Sequence, residues 1–159
     1  MIIREATRED SDELGAMLVE LCTYEMPYDP LVFPGPGCAD YLIEYTWQGV
    51  ERAAGAVYFA EEGGAVAGFI SGWVERRDAR LWRVDRLGYI DALYVREPYR
   101  GRGAGRALME ALLTRFRAQG LSQITTDVYS ANDAARGFYA GFGMRPATVK
   151  VEGPLPGAD

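Results

Sequence analysis

The stretch LGYIDALYV, residues 87–95, followed at once by REPYRGRGAG, residues 96–105, decides how this sequence folds. Residues 87–95 are apolar and aromatic apart from Gly88 and Asp91, which is typical of a buried strand. Apolar residues with helical spacing follow the stretch and predict a helix: Ala104, Ala107, Leu108, Ala111, Leu112 and Phe116. The glycines therefore stand between a strand and the start of a helix, where uncovered N–H groups favour an anion. A plain tight turn is the alternative.

The spacing of these glycines excludes two well-known phosphate loops. Counting from Gly101, the sixth position of a dinucleotide G-x-G-x-x-G motif would be Arg106. No Gly-Lys-Ser/Thr follows either, so a Walker A loop is excluded. Any anion bound here must be held in another way.

The rest of the chain surrounds this stretch with alternating elements. Strands are predicted over 1–6, 57–61, 65–74, 123–129 and 145–152, with Gly63-Gly64 joining the second and third as a hairpin. Helices are predicted from a Thr7/Asp10 capping box to about 24, over 38–49, and after Asn132. We expect an α/β (α+β) fold with a mixed central sheet of about six to seven strands flanked by helices. It forms a single domain over 1–152, followed by a flexible tail at 153–159.

Composition removes several classes of chemistry. The chain has no histidine, which excludes a Ser-His-Asp triad and the commonest zinc ligands, and Cys22 and Cys38 lack a Cys-x-x-Cys spacing. We expect no metal, and the cysteines to be small buried residues. The net charge of −6 argues against nucleic acid, yet residues 76–106 carry nine arginines against four acids. That basic zone suits a small polyanion, with a solvated arginine-rich stretch as the alternative. No apolar run or secretory start points to a membrane, so we expect a cytoplasmic protein.

Two ordered motifs resemble the GNAT superfamily of N-acetyltransferases. Arg100-x-x-Gly103-x-Gly105 is similar to its Q/R-x-x-G-x-G/A signature, and Phe138-Tyr139-x-x-Phe142-Gly143 follows at the family's separation. The resemblance implies the GNAT fold and acetyl-coenzyme A as co-substrate, with the pyrophosphate on the turn and the pantetheine arm paired along the preceding strand. It assigns these coenzyme contacts: Leu93, Tyr94, Val95, Arg100, Gly101, Arg102, Gly103, Ala104, Gly105, Arg106, Asn132 and Phe138.

Two residues are candidates for catalysis. An alkyl amine is mostly protonated at neutral pH, so the site must remove a proton, and Asp91 is the candidate base. The alternative is that Asp91 pairs with a nearby arginine or binds the substrate ammonium without proton transfer, and a water chain is a further route for the proton. The resemblance implies Tyr139 as the acid that protonates the departing thiolate, with a core aromatic as its alternative.

The acceptor amine stays open. Aromatic and acidic residues together suit an alkylammonium, and the candidates are Tyr24, Glu25, Tyr28 and Trp82. Residues 20–25 and 89–95 look somewhat like spermidine/spermine N-acetyltransferases, but the proline-rich stretch after Met26 departs from them. Another amine, an amino acid, an aminoglycoside or a protein N-terminus also fits, as does a longer acyl chain. A non-catalytic acyl-coenzyme A sensor is the alternative function, and we expect a homodimer.

Overall fold

The computed structural model describes residues 1–157, which divide into two compact units. The first unit spans Met1–Asp127 and the second begins at Val128. The single domain expected over 1–152 stays a prediction. Of the tail expected at 153–159, residues 158 and 159 lie outside the described residues.

A five-stranded mixed sheet forms the centre of the first unit. Its strands follow one another in the order β1 (Ile2–Glu5), β2 (Ala56–Glu62), β3 (Ala65–Arg76), β4 (Arg86–Val95) and β5 (Ile124–Thr126). The pairs β1–β2, β2–β3 and β3–β4 are antiparallel, and the pair β4–β5 is parallel. The predicted hairpin at Gly63-Gly64 is confirmed as the connection of β2 to β3. The α/β class with a mixed sheet is therefore confirmed.

Helices cover both faces of this sheet. On one face, α1 (Ser11–Glu25) and α2 (Cys38–Arg52) bury a cluster that contains Leu14, Met17 and Phe69. On the other, α3 (Ala104–Ala118) places Leu112 and Phe116 against β3 and β4. Because successive strand residues face opposite sides, the two layers use alternate positions of the same strands. No helix among residues 1–157 combines the length and the apolar character needed to span a bilayer.

The predicted capping box starts the first helical layer. Thr7 accepts a hydrogen bond from the Glu9 N–H, and Asp10 accepts one from the Thr7 N–H at 2.8 Å. The Arg4 guanidinium pairs with the same Asp10 carboxylate at 2.8 Å, and this lowers the pKa of Asp10 to about 2. The capping box thus ties β1 to the start of α1.

The second unit contains one helix, α4 (Asp133–Ala140), within its described residues. Asn132 caps it as predicted, because its side-chain oxygen accepts from the Ala135 N–H at 3.0 Å. The strand predicted over 145–152 is wrong, since that segment has no strand pairing in the described structure. Pro146 lacks an N–H donor, and Val149 and Val151 are 76% and 87% exposed, so the segment buries no apolar face. The sheet accordingly has five strands rather than six to seven.

Candidate active site

A β-bulge places Asp91 in the middle of β4. Ser71 of β3 pairs with Ala92, and the next residue, Gly72, pairs with Ile90. Asp91 is thus an extra residue with no partner opposite it on β3. Bulges re-aim side chains and are frequent beside active sites. The single carboxylate within the predicted strand therefore lies where the strand regularity breaks.

The bulge also changes which backbone groups of β4 face its outer edge. Before the bulge, the Gly88 N–H donates to the carbonyl of Gln123, just before β5, at 2.9 Å. After the bulge, the Arg96 N–H donates to the carbonyl of Ala67 in β3, also at 2.9 Å. Strand groups alternate, so the N–H and C=O of Leu93 and Val95 point to the outer edge. The β5 ladder ends at the pair Ile90↔Thr126. Within the described first unit, no strand covers the outer edge of residues 91–95, although the Val95 carbonyl there accepts a hydrogen bond from Arg100.

A glycine turn follows this open edge and starts α3. Gly101 and Gly103 have φ of 71° and 88°, and a Cβ built on either would meet nothing within 4 Å. Gly103 is the N-cap of α3, and no side chain caps the helix there. The first N–H groups of α3 consequently lack the partner that Ser, Thr, Asp or Asn would supply. An uncapped helix start with open space in front of it is suited to an anion.

Arginines of the same turn support its shape. Arg100 donates from Nε to the Val95 carbonyl at 2.7 Å, and Arg102 pairs with Glu62 at 2.9 Å. Arg96 holds two carboxylates of α1, Glu13 at 2.6 Å and Glu20 at 2.8 Å. These contacts fix the end of β4 against its neighbours, and they show that Arg96 and Arg102 are neutralised within the protein.

Two predicted acceptor residues join a tyrosine–arginine cluster made of Tyr24, Tyr28, Tyr94 and Arg100. The rings of Tyr24 and Tyr28 lie edge to face with centroids 6.1 Å apart. The Arg100 guanidinium lies over the Tyr24 ring at 4.8 Å and over the Tyr94 ring at 5.7 Å. This geometry is typical of cation–π contacts, so α1 directly contacts Arg100 of the glycine turn.

The remaining predicted acceptor residues have separate surroundings. Burial raises the pKa of Glu25 at the end of α1. Trp82 is 50% exposed and lies under the Arg77 guanidinium at 4.4 Å, in the loop between β3 and β4. Its ring contact is therefore with Arg77, not with the tyrosine–arginine cluster. All four acceptor assignments stay predictions.

Asp91 is in a setting that favours a proton acceptor. Its carboxylate accepts a hydrogen bond from the Ser71 hydroxyl at 3.0 Å, and Ser71 is fully buried. Burial raises the pKa of Asp91 from 3.8 to about 6, although the Ser71 hydrogen bond opposes the shift. Within residues 1–157 no arginine or lysine lies at ion-pair distance from Asp91. The arginine-partner alternative thus finds no support in the contacts of the described chain.

An aromatic row, defined as Tyr41, Tyr45, Trp73 and Tyr89, lines the same face of the sheet. Successive ring centroids are 6.2, 5.8 and 5.6 Å apart. Nearby Asp91 and Asp127 help burial to raise the pKa of Tyr89, whose hydroxyl donates to Asp127 at 3.3 Å. The sequence analysis did not assign Tyr41, Tyr45 or Tyr89 to the site. The i, i+4 spacing of the two tyrosines on α2 is the signal that would have paired them.

The other predicted residues belong to the second unit. Asn132 is 6% exposed and caps α4, while Phe138 contacts the rings of Tyr139 and Phe142 with centroids 5.3 and 5.2 Å away. Tyr139 is half-buried. Phe138 and Tyr139 of α4 thus pack with each other, as the alternative of a packing role for Tyr139 requires. The assignment of Tyr139 as an acid stays a prediction.

Cysteine and metal chemistry find no support in the site. Both cysteines are free and half-buried, and burial raises the pKa of Cys22 to about 11, so its thiol is almost entirely protonated at neutral pH. Among the residues that the structure describes, no group of three Cys, Asp or Glu side chains is arranged to hold a metal ion. The carboxylate of Asp91 is the stronger candidate for acid–base chemistry.

Comparison with solved structures supports the same architecture. A mutant of the BH1408 protein from Bacillus halodurans superposes with a TM-score of 0.80 at 26% identity, covering 98% of this chain and 99% of that one. A predicted acetyltransferase from Clostridium acetobutylicum, solved with acetyl-CoA, gives a TM-score of 0.78 at 17% identity over 97% of this chain and 96% of that one. The second likeness shows the fold alone.

Sequence comparison identifies the family. L-methionine sulfoximine/L-methionine sulfone acetyltransferase of Pseudomonas aeruginosa is 32% identical over 90 residues, which are 57% of this chain and 49% of that protein. An uncharacterised N-acetyltransferase of Lactobacillus delbrueckii subsp. lactis is 33% identical over 88 residues, or 55% of this chain and 50% of that one. The matched stretch thus spans about half the length of these relatives. The family model described as "Acetyltransferase (GNAT) family" matches residues 18–144, which is most of the sequence. The chain therefore belongs to the acetyltransferase (GNAT) family.

Proposed function

We propose that this protein is an N-acetyltransferase that moves the acetyl group of acetyl-coenzyme A directly onto an amine while both are bound. The observation that carries the proposal is the meeting of three features within residues 86–106. These are an open strand edge, an uncapped helix start behind two glycines, and a bulged carboxylate with a raised pKa. A binding module would need the first two features only.

The residues of this region fit the coenzyme. The N–H groups of Leu93 and Val95 and the carbonyl of Leu93 can pair with the amides of a pantetheine arm as another strand would, while the Val95 carbonyl accepts from Arg100. Beyond them, the N–H groups at the start of α3 suit the pyrophosphate, because Gly103 leaves open space in front of the helix. The coenzyme supplies the acetyl group as a reactive thioester. The protein's part is to hold that thioester near Asp91.

Asp91 takes the proton that the acceptor ammonium must lose before its nitrogen can attack. With a pKa of about 6, the carboxyl is mostly ionised at neutral pH yet more basic than an ordinary aspartate. The new bond joins nitrogen to the acyl carbon, and the carbon–sulfur bond breaks. Tyr139 then gives its phenolic proton to the departing thiolate, an assignment that rests on the family resemblance. The nitrogen loses its second proton as the amide forms, and that proton restores the phenol of Tyr139.

The acceptor amine binds, in this proposal, along the aromatic row. Adjacent aromatic rings give an alkylammonium both apolar contact and cation–π attraction, and Asp91 and Asp127 supply negative charge beside Tyr89. The Pseudomonas relative is named for amino acid derivatives. An amino acid acceptor would need a cation to bind its carboxylate. The aromatic row therefore favours an amine that carries no carboxylate.

A matched pair of glycine variants tests the coenzyme site. Gly103 and Gly120 lie at opposite ends of α3, with φ of 88° and 73°, and an added Cβ meets nothing within 4 Å at either. Both Gly103→Glu and Gly120→Glu should therefore cost about 1–2 kcal/mol of folding free energy, from the left-handed backbone. Only Gly103→Glu should abolish acetyl-coenzyme A binding in calorimetry, because only its charge opposes the phosphates.

Turnover distinguishes an enzyme from a sensor. The wild-type protein is incubated with acetyl-coenzyme A and a panel of amines, and both free thiol and acetylated amine are measured by mass spectrometry. We expect an acetylated amine to appear together with an equal amount of thiol. Tight coenzyme binding with no product across the panel would favour the sensor, and equal binding by wild type and Gly103→Glu would refute the coenzyme site.

A further inference from the structure

Three arginines line a cavity at the end of the sheet where β4 begins. The cavity has a volume of about 300 Å³ and is lined by Arg52, Ala53, Ala54, Val74, Arg76 and Arg86. No acidic residue belongs to this lining. The size is at the lower end for small-molecule sites.

The strand register forces two of these arginines together. Arg76 is the last residue of β3 and Arg86 the first of β4, and they are direct Cα partners in the antiparallel ladder. Directly opposed residues point to the same face of a sheet, and like charges in such a pair destabilise it. Arg52, in the last turn of α2, adds a third positive charge to the same cavity.

The arginine cluster, defined as Arg52, Arg76 and Arg86, contains no ion pair in the described chain, although Glu51, which pairs with Arg8, also attracts Arg52. None of the three has a carboxylate at ion-pair distance within residues 1–157. The protein nevertheless has 23 acidic residues for 17 basic ones, and carboxylates partner most of its other arginines, such as Arg4, Arg8 and Arg96. The cluster is thus an unbalanced positive site in an acidic protein.

We propose that this cluster binds a small polyanion, a compound with two or more carboxylate or phosphate groups. Arginine forks recognise both groups by paired hydrogen bonds, and three of them around one cavity match a ligand with several anionic oxygens. The site is separate from the coenzyme turn, because the ten residues of β4 span about 30 Å between Arg86 and Val95. Bound anion would stabilise the folded protein by removing the repulsion between Arg76 and Arg86.

Thermal unfolding and calorimetry with citrate and inorganic pyrophosphate, which carry three carboxylates and two phosphate groups respectively, test the site without coenzyme. Sodium chloride at equal ionic strength corrects for screening. We expect one of the two anions to raise the Tm in a saturable way, with a Kd of about 1 mM or below. Tighter citrate binding would assign carboxylates, and tighter pyrophosphate binding would assign phosphate groups.

Arg86→Gln is the decisive variant, and Arg145→Gln, an exposed residue of the second unit, is its control for net charge. In chloride, Arg86→Gln should raise the Tm by about 1–3 °C because it relieves the like-charge pair. It should also weaken anion binding by about tenfold or more, while Arg145→Gln changes neither. The proposal is overturned if sodium chloride raises the Tm as much as both anions do. It is also overturned if Arg86→Gln and Arg145→Gln both bind the anion with the Kd of the wild type. An anion that binds at the start of α3 instead would bind Arg86→Gln as it binds the wild type, so this variant separates the arginine cluster from the proposed coenzyme site.

Discussion

Replacing Asp91 with asparagine should make the protein more stable and less active. Asparagine keeps the size of the side chain and still accepts the 3.0 Å hydrogen bond from Ser71, so the bulge in β4 can persist. It removes the negative charge that burial disfavours. A residue kept for structure would give the opposite result, because its removal would weaken the fold.

The pKa of Asp91 sets the size and pH range of the stability change. Its folded pKa of about 6 exceeds the ordinary 3.8, so between these values the folded state keeps a proton that the unfolded state loses. Stability therefore falls as pH rises from about 4 to 6, and the full penalty is present above 6. A shift of about two units corresponds to at most about 3 kcal/mol, less where water reaches the carboxyl. Asp91→Asn should recover that amount at pH 7 and gain almost nothing at pH 3.5.

Urea unfolding at several pH values and steady-state kinetics provide the two readouts. If Asp91 is the base, Asp91→Asn should reduce kcat/KM by about 10²- to 10⁴-fold and abolish the limb of the rate profile near pH 6. Ser71→Ala is the matched control, since it leaves the carboxylate but removes the hydrogen bond that lowers its pKa, and the limb should move to higher pH. Wild-type turnover in Asp91→Asn, or a loss of stability at pH 7, would refute the reasoning.

Two further substitutions and one sedimentation experiment have definite expected outcomes. Tyr139→Phe keeps the ring that packs 5.3 Å from Phe138, so coenzyme affinity and stability should hardly change while turnover falls at least about tenfold; a normal rate would return Tyr139 to a packing role. Ala54, just after the end of α2, has a φ of 51°, which strains a residue with a Cβ. Ala54→Gly should therefore raise the free energy of unfolding by about 0.5–1 kcal/mol in urea titrations, and no increase would show that this backbone is unstrained. Sedimentation at micromolar concentration should show the expected homodimer, and a single species of the 17.6 kDa chain mass would count against it.

The two interruptions of the deciding strand show how far the sequence leads. Gly88 and Asp91 break an otherwise apolar run, and the sequence alone offers no structural reason for either, although it offered Asp91 as a candidate base. In the structure, a Cβ on Gly88 would lie 2.3 Å from the Phe116 ring of α3, so the glycine makes room for the helix. Asp91 is the bulged residue. Strand, turn and helix were predictable from local pattern, whereas these two reasons depend on partners distant in sequence.

Features formed by residues from different strands or helices could not be predicted from the sequence for the same reason. Arg76 and Arg86 are both visible in the sequence as parts of a basic zone, but only the register of β3 and β4 makes them face each other. The aromatic row likewise joins rings from α2, β3 and β4. The strand predicted over 145–152 failed for the converse reason, because its β-branched residues find no buried surface.

A single inserted residue connects the fold of β4 to its proposed chemistry. Gly88 and Ile90 face β5, and strict alternation would next turn the N–H groups of residues 92 and 94 to that edge. The extra residue reverses the order, so that Leu93 and Val95 face the edge that β5 leaves open. The same insertion leaves Asp91 without a backbone partner on β3 and places its carboxylate within hydrogen-bond distance of Ser71. Without it, the backbone groups that would pair with the coenzyme would instead bond β3, and the carboxylate would lose its position beside them. The proposed base and the proposed coenzyme edge therefore depend on one register shift, the β-bulge at Asp91.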